Sequence, residues 1–124
     1  MMIAGSCHCG QVRFEVEKPQ AVTSCNCSIC RRLGWILAYY EADQVRMGAG
    51  QGRTAGYIQG DRTLASHHCP TCGVATHWVG RGEHAHRIGV NIRLFDPKDL
   101  DGVTVRFLDG ADTWQVTGEA PFGN

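Results

Sequence analysis

The chain has 124 residues, with 12 basic and 12 acidic side chains and no net charge when histidines are neutral. That size predicts one domain with a modest core, burying about two-thirds of the surface its unfolded chain exposes. Apolar residues make up 43% and no tract is of low complexity, which excludes a largely disordered chain.

The longest apolar run, residues 35–40, is far shorter than the ~20 residues needed to cross a bilayer. Met1-Met2-Ile3-Ala4-Gly5 has neither the basic start nor the apolar stretch of a secretory leader. The expected location is cytoplasmic, with no membrane partner.

In chain order, Val12, Phe14 and Val16 alternate with Arg13, Glu15 and Glu17, which predicts a half-buried strand. A short helical turn follows, capped by Asn26 or Ser28 and running through Cys30-Arg31-Arg32. Residues 35–40 read as a more buried strand. Further short strands are predicted at 45–47, Ala55–Gln59, Leu64–His68, 75–79, 87–92 and 103–107, each followed by Gly, Asp or Pro. A single helical turn is expected at Pro97–Leu100, with Asp96 as cap and Pro97 at its first position.

Gly48-Ala49-Gly50-Gln51-Gly52 lacks the Lys-Ser/Thr of a phosphate-binding loop and is read as a hairpin connection. There is no internal repeat. The predicted class is mainly β: a small single-domain folded sheet, sandwich-like.

Seven cysteines carry the chemistry. They fall into three groups, Cys7-His8-Cys9, Cys25-Asn26-Cys27-Ser28-Ile29-Cys30 and Cys69-Pro70-Thr71-Cys72, with none outside. Spacings of one or two residues point to metal ligation rather than to scattered core thiols. An odd count cannot close entirely into disulfides, and a reducing compartment keeps thiols available for metal. Seven ionised thiols with two divalent cations would leave the protein slightly anionic, so nucleic acid is not an expected partner.

A closed tetrahedral zinc site takes four ligands, and four of seven leaves three. In Cys69-Pro70-Thr71-Cys72-Gly73, proline fixes the start of a turn and glycine lets the chain pass a metal. Cys7 and Cys9 supply the other two thiols if they lie on an extended segment, where residues two apart share a face. A rival grouping joins Cys27 and Cys30 to Cys69 and Cys72. It would strand Cys7, Cys9 and Cys25, and the spacing favours the outer pairs.

Cys25, Cys27 and Cys30 can reach one ion if the backbone is extended to Cys27 and helical afterwards. Three protein ligands and one open position form the catalytic pattern of zinc. The expected use is an exchangeable zinc that binds a small thiol. A histidine could instead close the site, and His67, His68, His77, His84 and His86 are all available. The trio could also be metal-free and redox-active. His8, between two ligands, is expected to point away. Arg31 and Arg32 are either a solvated pair or a holder for a substrate carboxylate, which the guanidinium fork fits.

These residues carry a resemblance. Residues 5–14 (Gly-Ser-Cys-His-Cys-Gly-Gln-Val-Arg-Phe), 25–32, 69–73 and 91–96 (Asn-Ile-Arg-Leu-Phe-Asp) resemble the glutathione-dependent formaldehyde-activating enzyme family, which also includes centromere protein V. The resemblance implies a mainly β fold shared with methionine sulfoxide reductase B and with a small zinc-binding Rab-interacting protein. It implies two zinc ions per chain: a structural one on Cys7, Cys9, Cys69 and Cys72, and a catalytic-type one on Cys25, Cys27 and Cys30. The implied reaction joins formaldehyde and glutathione into S-hydroxymethylglutathione, a carbon–sulfur lyase activity in reverse. His68 and Val74 stand where the family commonly has an aromatic residue and Thr, and the chain is shorter than the formaldehyde-activating members.

The expected function is therefore a zinc-dependent carbon–sulfur lyase acting on a small glutathione-like thiol and a small aldehyde. One alternative is a non-catalytic zinc module that binds protein partners or buffers metal. A thiol–disulfide or sulfoxide reductase would need a cysteine free of metal, and four plus three leaves none.

Overall fold

The structure, a computed structural model, describes residues 1–48 and 54–123. Beyond Gly48, the glycine-rich segment read as a hairpin connection lies outside the described residues. Eleven strands occur among the described residues: β1 (Met2–Ser6), β2 (Arg13–Glu17), β3 (Ala21–Cys25), β4 (Leu37–Glu41), β5 (Arg46–Met47), β6 (Ala55–Gln59), β7 (Leu64–His68), β8 (Ala75–Gly80), β9 (Arg87–Asn91), β10 (Thr104–Leu108) and β11 (Val116–Pro121). One α-helix, α1 (Ser28–Leu33), follows β3. The class is mainly β, as the alternation predicted. No helix among the described residues is long and apolar enough to cross a membrane.

The strands form two sheets, one ordered β1-β2-β5 and one ordered β11-β10-β3-β4-β9-β8-β7-β6. All pairings are antiparallel except β3 with β10, which run parallel and place Cys25 opposite Leu108.

Register decides what each face of the large sheet does, because directly opposed residues share a face. Ala38 opposes Val90, which opposes His77; Tyr40 opposes Ile88, which opposes Val79. On this face Val22, Ala38, Ile88, Val90 and Val105 meet Ile3, Val12, Phe14 and Val16 of the small sheet and its flanking turn in one buried cluster. Phe14 and Val16 face inward while Arg13 and Glu17 are exposed, as alternation requires. Burying a side chain such as Phe14 is worth about 1.5–3 kcal/mol.

His77 belongs to this interior: its ring stacks on His67 at 4.8 Å and meets Phe14 edge-on at 5.3 Å. Burial pushes its imidazole down to about 3, so it is neutral.

The opposite face carries Leu37 and Tyr39 of β4, Trp78 of β8, Arg87 of β9, Leu64 of β7 and Gln59 of β6. Tyr39 opposes Gly89, which opposes Trp78, and Leu64 opposes Gln59. Trp35, Leu37 and Trp78 form a second buried cluster there, with Cys30 and Leu33 of α1 packed against it. One face is core and the other is built around the trio.

Several expectations shift by a residue or two. The strand expected at 35–40 begins at Leu37, after Trp35 and Ile36. The helix runs from Ser28 to Leu33, but neither Asn26 nor Ser28 caps it: the Cys27 sulfur accepts from the Cys30 N–H. The turn at Pro97–Leu100 is a 3-10 helix with Asp96 accepting from the Lys98 N–H at 3.0 Å. Strands β1, β3 and β11 were not anticipated.

Candidate metal centres and the cavity beside them

Cys7 and Cys69 each open a tight turn of the same form. The Cys7 N–H donates to the Val12 carbonyl and the Cys69 N–H to the Val74 carbonyl, both at 2.9 Å. Gly10 and Gly73 sit in these turns at φ 83° and 79°, a conformation that favours glycine. Cys7–Cys9 thus lies in a turn, not on the extended segment the spacing suggested. The Thr71 hydroxyl donates to Gln11 at 2.6 Å and ties the turns together.

The four sulfurs of Cys7, Cys9, Cys69 and Cys72 all lie within 4.8 Å of one another. Two of these separations, Cys7–Cys9 and Cys9–Cys69, are 3.6 Å. Four sulfurs held ~2.3 Å from one ion at tetrahedral angles would stand about 3.8 Å apart, so the donor set fits zinc.

Electrostatics agree with that fit. Burial raises the Cys7 thiol, but the Val12 N–H and the Cys9 and Cys69 thiols bring it below its usual value. Cys72 is drawn down to about 6, chiefly by the Val74 N–H. At Cys9 the Gln11 N–H favours thiolate, but desolvation and the neighbouring sulfurs outweigh it and push the thiol up to about 11. Thiolates this close cannot all ionise unaided, and a divalent cation removes the conflict.

The trio is a separate group: the sulfurs of Cys25, Cys27 and Cys30 lie within 4.8 Å of one another, and among the described residues no histidine joins them. The rival grouping with Cys69 and Cys72 is not brought together. Cys25 ends β3, Cys27 is extended at φ −63° and ψ 167°, and Cys30 lies on the first turn of α1. The Cys27 N–H lies 3.4 Å from the Cys25 sulfur, and the Cys30 N–H 3.5 Å from the Cys27 sulfur. Burial opposes ionisation at Cys27, but the Cys30 and Ile29 N–H groups and the Cys30 and Cys25 side chains leave its thiol below the usual value. Burial pushes Cys30 up to about 12. All seven cysteines are free thiols.

The turn between β10 and β11 supports the trio. Asn26 donates from Nδ2 to Asp109 at 3.0 Å and accepts from the Ala111 N–H at 2.9 Å. Gly110, between them, is buried; a Cβ there would stand 2.4 Å from the Cys25 sulfur. Trp114 closes the same turn at φ 60°, its N–H donating to the Asp109 carbonyl at 2.7 Å. In the sequence Asp109-Gly110 reads only as turn punctuation.

Beside the trio lies a cavity of about 390 Å³ lined by all three of its sulfur-bearing side chains. Trp35, Trp78, Tyr39 and Trp114 form its aromatic walls, with Arg87 and His84 as its basic groups. The Trp35 indole N–H is buried near the Cys30 sulfur and favours its thiolate, yet makes no hydrogen bond of standard geometry. Two absent Cβ atoms make room here. One on Gly89 would stand 2.1 Å from the Trp78 Nε1, and one on Gly80 would stand 1.8 Å from the His84 carbonyl oxygen.

Arg31 and Arg32 do not line this cavity. Both are exposed, and with Cys27 and Trp114 they border a wider groove of about 770 Å³ on the other side of the trio. Arg32 donates to the Ser28 carbonyl at 2.8 Å. The cation at the cavity is Arg87, which no sequence motif marked; its place follows from strand register alone.

Two packed sheets, two cysteine clusters able to hold metal and an aromatic cavity beside the smaller cluster define a small β-sheet protein with two thiol-rich candidate metal sites. The family described as glutathione-dependent formaldehyde-activating enzyme matches residues 2–107, and the chain belongs to it. A solved structure of a Rhodobacter sphaeroides protein is similar over 82% of this chain and 97% of that one, with 35% identity and a TM-score of 0.66. A Halomonas elongata protein that carries the name of a glutathione-dependent formaldehyde-activating enzyme is 53% identical over 34 residues, 26% of this chain and 22% of that protein. That match spans less than a quarter of the relative's length.

Proposed function

We propose that the chain catalyses addition of a small thiol, glutathione or a close analogue, to an aldehyde, a carbon–sulfur lyase-type reaction run in the bond-forming direction. The observation that carries this reading is the convergence of Cys25, Cys27 and Cys30 at a point bordered by both a groove and a cavity. Cys7, Cys9, Cys69 and Cys72 are proposed to hold a structural zinc, and the trio a second one.

Zinc on the trio would supply a Lewis-acidic position at which a thiol is readily deprotonated. The protein's own groups provide placement. The Cys27 and Cys30 N–H groups point at the Cys25 and Cys27 sulfurs, and the Asn26 clamp fixes their loop. Arg31 and Arg32 suit the carboxylates of a thiol arriving through the groove. The aromatic walls exclude water where the aldehyde meets the sulfur. Thiol and aldehyde combine readily once a thiolate exists, so alignment is the main contribution of the protein. Family membership supports the choice of glutathione and formaldehyde.

The test is exchange between free formaldehyde and its glutathione adduct, followed by NMR. The zinc-loaded protein is expected to raise the exchange rate, and Cys27→Ser to remove that gain while leaving the circular dichroism unchanged. A rate that is the same with and without protein would contradict the proposal.

A further inference from the structure

We infer that the aromatic cavity binds the electrophile and selects an aldehyde with an apolar body and a carboxylate. This rests on the proposed thiol–aldehyde reaction for what happens at the site, but the selectivity itself is read from the cavity.

The chain has three tryptophans, and Trp35, Trp78 and Trp114 all line this one space. Leu37, Leu64 and Leu108 complete its apolar surface. At about 390 Å³ it falls within the range of small-molecule sites, about 300–1,000 Å³, and formaldehyde would leave most of it unfilled. Its walls suit a ring or a short apolar chain.

Apart from the trio's sulfurs, the ionisable groups nearest its apolar walls are basic. Arg87 and His84 line the cavity, and among the described residues no Asp or Glu does. The Arg87 guanidinium lies 6.0 Å from the ring centroids of both Tyr39 and Trp78, close enough for cation–π attraction. Among the described residues no carboxylate pairs with it, although Glu41 opposes it in the strand register. An ammonium group, such as that of a glutathione-like tripeptide, would face the Arg87 guanidinium here. A carboxylate would meet a guanidinium able to bind it through two N–H groups. The tripeptide therefore belongs on the Arg31/Arg32 side, and the electrophile on the tryptophan side.

The step balances without a further reagent. The thiol sulfur bonds to the aldehyde carbon and the carbonyl π pair moves to oxygen. That oxygen takes up a proton equal to the one the thiol lost, and the carboxylate is unchanged.

The test is a titration of the zinc-loaded protein, without thiol, using 4-formylbenzoate and its neutral analogue 4-formylbenzamide. The readout is tryptophan fluorescence, since every tryptophan borders the site. The acid is expected to bind about tenfold more tightly than the amide, as a charge-assisted pair should. Arg87→Gln should abolish that preference and leave the amide's affinity unchanged. Equal binding of the two, a preference that survives Arg87→Gln, or no binding of either would overturn the assignment. Because no thiol is present, selective binding by a protein without turnover would uphold the cavity and overturn only the proposed reaction.

Discussion

Gly110 shows how tightly the trio is fitted. A Cβ at this position would lie 2.4 Å from the Cys25 sulfur and 3.3 Å from the Cys27 Cβ. Gly110→Ala should therefore displace Cys25 and weaken zinc at the trio by at least about tenfold, with the outer four-cysteine site unaffected. Chelator competition would reveal one weakened ion; two ions held as firmly as in the parent protein would contradict this role. Each cysteine group was legible in the sequence because side chains two or three residues apart converge by local geometry. Gly110 and Arg87 were not. Gly110 meets Cys25 across a parallel strand pair far apart in sequence, and Arg87 reaches the cavity through register with Tyr39 and Trp78. Neither relation leaves a local pattern.

At the scale of elements, the two cysteine turns act as one joint. They connect the turn between β1 and β2 to the turn between β7 and β8, and so couple the small sheet to the large one. Structural zinc contributes on the order of 10–16 kcal/mol of apparent binding energy at pH 7, against a typical domain stability of about 5–15 kcal/mol. Cys69→Ser is expected to yield insoluble or unfolded protein, judged by soluble yield and circular dichroism. A soluble variant with the parent spectrum would sink the structural assignment. Strands with clear alternation or β-rich composition, such as β2, β6 and β7, were legible. Strand β3 (Ala-Val-Thr-Ser-Cys) has one large apolar residue, and β11 is exposed along most of its length and ends in proline. Pairing with neighbours, rather than burial of its own residues, makes β11 a strand. The cap of α1 was misplaced because a sulfur took the part usually played by Asn or Ser.

Across the whole molecule, one sheet serves two purposes. Its first face packs on the small sheet through Val22, Ala38, Ile88 and Val90, which fixes the frame. Its second presents Tyr39, Trp78 and Arg87 beneath the trio, where the groove and the cavity meet at Cys27. The mainly β class could be read from alternation, because period two needs no tertiary information. Which face would be core could not, since both carry large apolar residues.

The account turns on whether the trio holds an ion with room for a thiol. Native mass spectrometry of freshly reduced protein, with and without glutathione, measures this directly. The expected result is two zinc ions per chain and one retained glutathione, with the glutathione and one zinc lost in Cys27→Ser. Two zinc ions with no thiol retained, or a single zinc beside a trio that oxidises, would contradict it.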